Sequence, residues 1–145
     1  MPQRTLGENK MADRRFTQFF YSFGKHPTML EGSFVVGGTG AVGTTKGMGL
    51  ASITRLDTGK YRLTFEDAYR RFLAFSHCFV DIVGSTGTSG IMEVAVLGNP
   101  DTTLQSKYID IQMRASGGSA ADPAQYLVFY FKATVDNTST LPSNE

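Results

Sequence analysis

The pattern with the most chemical promise is Gly38-Thr39-Gly40-Ala41-Val42-Gly43, a G-x-G-x-x-G run behind the apolar segment Ser33 to Val36. In a dinucleotide-binding fold such a run opens a helix whose first N–H groups face a pyrophosphate. Here the chain continues Thr44-Thr45-Lys46-Gly47-Met48-Gly49, and two further glycines oppose a helix. A phosphate-binding loop fails as well, because Thr44 and not lysine follows Gly43. The segment reads as a flexible or tightly turned glycine loop that leads into a hairpin.

His77-Cys78 invites a nucleophile reading, but neighbours on a strand point to opposite faces, so the imidazole cannot orient that thiol. A metal site would have to combine His77 with His26, the other histidine, and Asp81 or another carboxylate, and no ligand spacing recommends it. The adjacent carboxylates Glu66-Asp67 suit the cap of a turn over Glu66 to Arg71 better than acid–base work, for which no partner is in view. No serine sits in a G-x-S-x-G elbow. The expectation is a protein that is not an enzyme and carries no cofactor or metal.

A binding role has more support. Ahead of Pro27, Arg4, Lys10, Arg14, Arg15 and Lys25 face only Glu8 and Asp13. Within this stretch Phe16, Phe19, Phe20 and Phe23 recur at i, i+3, i+4 and i+7, one apolar stripe over two helical turns. The same residues could instead lie extended and drop alternate aromatics into pockets. With Tyr21 they are too aromatic for a solvated tail, so the stripe must be buried on this domain or on another chain. The expected partner-binding residues are Phe16, Phe19, Phe20 and Phe23 as anchors, with Arg14 and Arg15 pairing acidic groups.

The elements that would carry these residues read as strands. Leu50 to Leu56 and Tyr61 to Phe65 alternate about Asp57-Thr58-Gly59-Lys60, where Gly59 can take the positive φ of a tight turn. Phe34 to Val36, Phe72 to Val83, Ile91 to Leu97, Tyr108 to Ala115 and Tyr126 to Val135 add five more. Ile109, Ile111, Met113 and Ala115 should face the core, and the last strand, apolar on both faces, should lie centrally in a sheet. Gly84 to Gly90 and Gly117 to Pro123 read as loops too polar to bury. The fold class is all-β: an antiparallel β-sandwich or small barrel with an extended or short-helical N-terminal arm. Its divisions are an arm at 1–28, the β domain at 29–136 and a polar C-terminal tail at 137–145.

Composition narrows the partners. The 145 residues carry 14 Lys+Arg against 13 Asp+Glu, a net charge of +1 that gives no global pull toward nucleic acid or an anionic membrane. One cysteine excludes an internal disulfide and any zinc site built on two or more thiolates. No window reaches the ~20 apolar residues of a helical membrane span, and Met1 to Lys10 lacks a secretory apolar stretch. The expected product starts near Met1 and is made in a cytoplasm.

The stretch Leu50-Ala51-Ser52-Ile53-Thr54-Arg55-Leu56-Asp57-Thr58-Gly59-Lys60-Tyr61-Arg62-Leu63-Thr64-Phe65-Glu66-Asp67-Ala68-Tyr69 resembles a hairpin that recurs in virion proteins of tailed bacteriophages. There a Gly-rich lead-in precedes a V-T-R-x-x-T-G-x-Y-x-V-T-F pattern, then an aromatic-ended turn and another strand. The resemblance implies a non-enzymatic structural protein, most like a capsid decoration (cement) protein that binds the capsid surface. The implied partners are the major capsid protein and further copies of the chain, as a dimer or trimer. The alternatives are a tail or baseplate appendage subunit, or a small glycan-binding β domain using Tyr108, Tyr126 and Tyr130. Absence of repeats and heptads favours the compact decoration role over a fibre.

Overall fold

A computed structural model describes residues 27–82 and 92–136. The arm residues Arg14, Arg15, Phe16, Phe19, Phe20 and Phe23 lie outside the described residues, as do His26, the expected loop Gly84 to Gly90 and the C-terminal tail.

Among the described residues eight strands form two antiparallel sheets. β1 (Pro27–Val36), β2 (Val42–Met48), β5 (Arg71–Asp81) and β8 (Leu127–Asp136) make the first, in the order β2-β1-β8-β5. β3 (Leu50–Asp57), β4 (Lys60–Phe65), β6 (Met92–Val96) and β7 (Tyr108–Ala115) make the second, in the order β3-β4-β7-β6. The fold is an all-β sandwich, and β8 lies inside its sheet, as its two apolar faces require.

Period-two alternation explains the core directly. Tyr61, Leu63 and Phe65 of β4 and Ile109, Ile111 and Met113 of β7 are buried, while Lys60, Arg62, Asp110 and Gln112 alternate outward. Ala115, expected in the core, is only half-buried because β7 ends there in a turn. From the first sheet, Leu30, Phe34 and Val36 meet Phe129, Phe131, Ala133 and Val135. Phe129 is the aromatic hub, with ring centroids 5.6 Å from Phe34, 5.2 Å from Phe79 and 6.2 Å from Phe131.

The β3–β4 hairpin closes at Thr58-Gly59 with Gly59 at φ 65°, as its turn chemistry requires. Elsewhere strands extend beyond the sequence reading. β1 covers ten residues, not the three from Phe34 to Val36, because Gly32 is a packing residue inside the strand. A Cβ on Gly32 would lie 2.6 Å from Cε1 and Cζ of Phe131, whose ring covers the glycine across the strand pair. Gly32→Ala is expected to destabilise the domain by about 1–3 kcal/mol through overpacking, read as a lower urea midpoint with an unchanged slope.

The glycine-rich run after Gly38 is likewise mostly strand. Gly38–Gly40 forms one 3-10 turn, and Val42–Met48 then pairs antiparallel with β1. Glu66 to Arg71 makes no helical turn: its amides bond across the fold, Glu66 N–H to the Gly49 carbonyl and Tyr69 N–H to the Leu104 carbonyl. One helix appears where none was expected, α1 (Pro100–Gln105) between β6 and β7. Asn99 caps it by accepting the Asp101 N–H at 3.0 Å, Pro100 occupies the first turn and Leu104 is fully buried. The Asp101 carboxylate accepts the Phe72 N–H at 2.7 Å, fastening the start of β5 to α1.

Candidate functional site

The two outer faces of the sandwich differ in chemistry. On the second sheet the outward residues of β4 and β7 are mostly polar, with Leu56 of β3 exposed beside them. Arg62 makes a two-pronged pair with Asp110 at 2.8 and 2.9 Å, and its guanidinium lies 3.9 Å from the Tyr108 ring centroid. This is a solvated face, as antiparallel sheets with one buried side usually show.

The outer face of the first sheet mixes apolar and polar side chains. Reading across its strands, one outward row holds Met48, Glu31, Lys132 and Ser76; the next holds Lys46, Ser33, Tyr130 and Cys78; a third holds Val35, Val128 and Val80. Met48 is 65% exposed, Met29 51%, Tyr130 45% and Val80 42%. The first two rows line a groove of about 680 Å³. Glu31 and Lys132 pair across its floor at 3.4 Å, and among the described residues no ion pair joins Lys46. In these two rows Met48, Tyr130 and Cys78 are interspersed with Glu31, Ser33, Lys46, Ser76 and Lys132.

The residues that raised catalytic readings do not converge. Behind the G-x-G-x-x-G run comes strand β2, so no helix terminus faces the turn. Gly40 has φ 75°, and a Cβ there would collide with the Asp122 carboxyl, so its place is structural. His77 and Cys78 fall on opposite faces: His77 lies over the Phe129 ring at 5.8 Å between centroids yet stays exposed on edge strand β5, and Cys78 is exposed in the outer groove beside Tyr130. Burial pulls the His77 pKa below its ordinary 6.5. Glu66 and Asp67 are exposed. Among the described residues no three His, Cys, Asp or Glu side chains cluster as metal ligands, and no helix is long and apolar enough to cross a membrane. Tyr108 and Tyr130 stand on opposite outer faces, and Tyr126, at φ 71°, precedes β8, so the three tyrosines do not form one sugar-stacking surface. Protein-family models, curated proteins and solved structures offer no match to this chain.

Sequence reasoning missed one cluster. Asp122, assigned to a polar loop, is largely withdrawn from solvent and accepts from Arg55 Nε at 3.1 Å, Arg55 Nη2 at 2.7 Å and the Gly59 N–H at 2.7 Å. Its neighbour Pro123 is buried. Tyr61 donates to the Gly40 carbonyl at 2.6 Å and lies 3.5 Å from the same carboxylate. The Arg55 hydrogen bonds hold the Asp122 carboxyl below its ordinary 3.8, while burial above all pushes the Tyr61 hydroxyl up and keeps it a donor. With strand, hairpin and loop all committed to this carboxylate, its work is to join the two sheets at one end.

Proposed function

We propose that the chain is a structural virion protein that binds the outside of a phage capsid and stabilises it by bridging major capsid protein subunits. The observation that carries this reading is the set of large apolar side chains exposed on the outer face of the first sheet, Met29, Met48, Val80 and Tyr130, among polar groups. Several large apolar side chains exposed on one outer face of a folded domain favour a contact with another macromolecule. The hairpin Leu50 to Phe65, with its resemblance to phage virion proteins, supports the setting. Arg14, Arg15, Phe16, Phe19, Phe20 and Phe23 extend the contact from the arm, and association of copies as a dimer or trimer adds to it. On a shell each modest contact is repeated by symmetry, so avidity holds the coat in place.

Removal of residues 1–26 tests the assignment of the arm. The shortened chain should keep the β-sandwich signature in circular dichroism and lose cosedimentation with capsids. Retained capsid binding by a folded, shortened chain would contradict it.

A further inference from the structure

An open sheet ends in edge strands whose outer N–H and C=O groups have no ladder partner, and folded proteins protect such edges. Among the described residues three of the four edges are protected. β6 is five residues long, β3 carries two register shifts with Arg55 and Asp57, and β2 is broken by Gly43 and Gly47 and holds Lys46. β5 has no such device over most of its length. It is the longest of the described strands, eleven residues or about 36 Å. Leu73-Ala74-Phe75-Ser76-His77-Cys78-Phe79-Val80 contains no Lys, Arg, Asp, Glu, Pro or Gly, and the register shift of β5 lies at its start. α1 reaches that start alone, where Asp101 takes the Phe72 N–H.

The side chains at this edge are left half-covered. On the inner face Phe75 stacks on Phe131 at 6.0 Å and Phe79 lies 5.2 Å from Phe129, yet both rings are only half-buried and His77 between them is exposed. A further antiparallel strand would satisfy the backbone edge and cover these rings together. The strand that fits is β5 itself. Its open part, Leu73 to Asp81, centres on His77, so antiparallel self-pairing sets Phe75 of each copy opposite Phe79 of the other and continues the aromatic row. The charges agree. Arg71, which pairs with Asp136 at 3.2 Å, and Asp81 mark the two ends of β5, and antiparallel pairing directs the Arg71 end of one copy toward the Asp81 end of the other. A parallel pair would set like charge on like.

We infer that two copies of the chain join through β5 about a two-fold axis near His77, merging their first sheets into one sheet of eight strands. The inference rests on the self-association in the proposed function and names the surface that makes it, but it does not need the partner to be a capsid. Its consequence is bivalence: the two outer faces, each with Met48, Tyr130 and Val80, lie side by side on one surface, and a partner with repeated sites is held at two points.

Sedimentation equilibrium of the full-length protein should give twice the 15.8 kDa chain mass. Full-length His77→Lys and Val80→Lys, each checked for the sandwich by circular dichroism, place like charges at the paired edge, the device that keeps natural edges apart. Dimerisation should weaken by about tenfold or more in each folded variant. A short bis-maleimide should also join the Cys78 thiols of the parent dimer, and this readout stands where a variant fails to fold. A parent mass of one chain would overturn the inference, and so would a mass of three, because an edge pair about a two-fold is closed. A dimer that gives no Cys78 cross-link, or that persists undiminished in a folded variant, would overturn it as well. A monomer that cosediments with capsids would sink this inference alone, whereas a cross-linked dimer left in the supernatant would sink the capsid reading alone.

Discussion

Replacing Phe129 with alanine should destabilise the domain by about 3–5 kcal/mol, the largest effect expected of any single core substitution. Phe129 is fully buried on β8, the strand that β1 and β5 both hydrogen-bond, and its ring touches Phe34 on one side and Phe79 and Phe131 on the other. Truncation removes the apolar area of a whole ring and leaves a cavity whose walls belong to three strands of one sheet and to Tyr61, whose ring lies tilted against Phe34 at 5.0 Å between centroids. Those walls are themselves fixed by backbone ladders, so the site collapses poorly and the cavity cost stays near the upper end of its range. Urea unfolding of the variant should show a lower midpoint at unchanged slope. Phe129→Leu, which refills most of the space, should recover more than half of the loss.

Asp122→Ala should cost about 2–4 kcal/mol, or roughly 5 to 15 °C in Tm. Loss of the carboxylate strands the Gly59 amide and removes the counter-charge facing Arg55, at a point where β3, its hairpin turn, the Gly38–Gly40 turn and the segment before β8 meet. The same carboxylate sets a pH dependence of known sign. Its pKa in the fold lies below the ordinary 3.8, held there first by Arg55 and then by the Gly59 amide, so the folded state favours the ionised form. The stabilisation is complete above about pH 5 and is lost as pH falls through the ordinary value toward the lower folded one. Parent and Asp122→Asn stabilities should therefore differ fully at neutral pH and converge in acid. A gap that stayed constant down to about pH 2 would contradict the assignment.

How much of this was legible in advance follows from the range over which each signal acts. β7 and β4 were readable because their alternation is local, and the β3–β4 hairpin because Gly59 supplies the conformation its turn needs. β2 was hidden because its glycines read as loop chemistry. Their cause lies in the partner strand, where a Cβ on Gly43 would come within 2.8 Å of the Val35 carbonyl oxygen and one on Gly47 within 2.6 Å of that of Glu31. α1 is shorter than the two turns that hydrophobic periodicity needs, although Asn99-Pro100-Asp101 does spell a capped helix start. The Asp122 cluster joins residues 63 and 67 positions apart, a distance no local pattern reports. The outer groove was invisible for the same reason: Lys46, Ser33, Tyr130 and Cys78 come from four strands and meet only through the ladder register.

Titration of capsids that lack this chain with the purified full-length protein, followed by sedimentation, tests the central claim most directly. Binding should saturate at a fixed number of copies per shell, and the coated shells should withstand heating that breaks bare ones. A chain that stays in the supernatant at every ratio, with capsid stability unchanged, would contradict it.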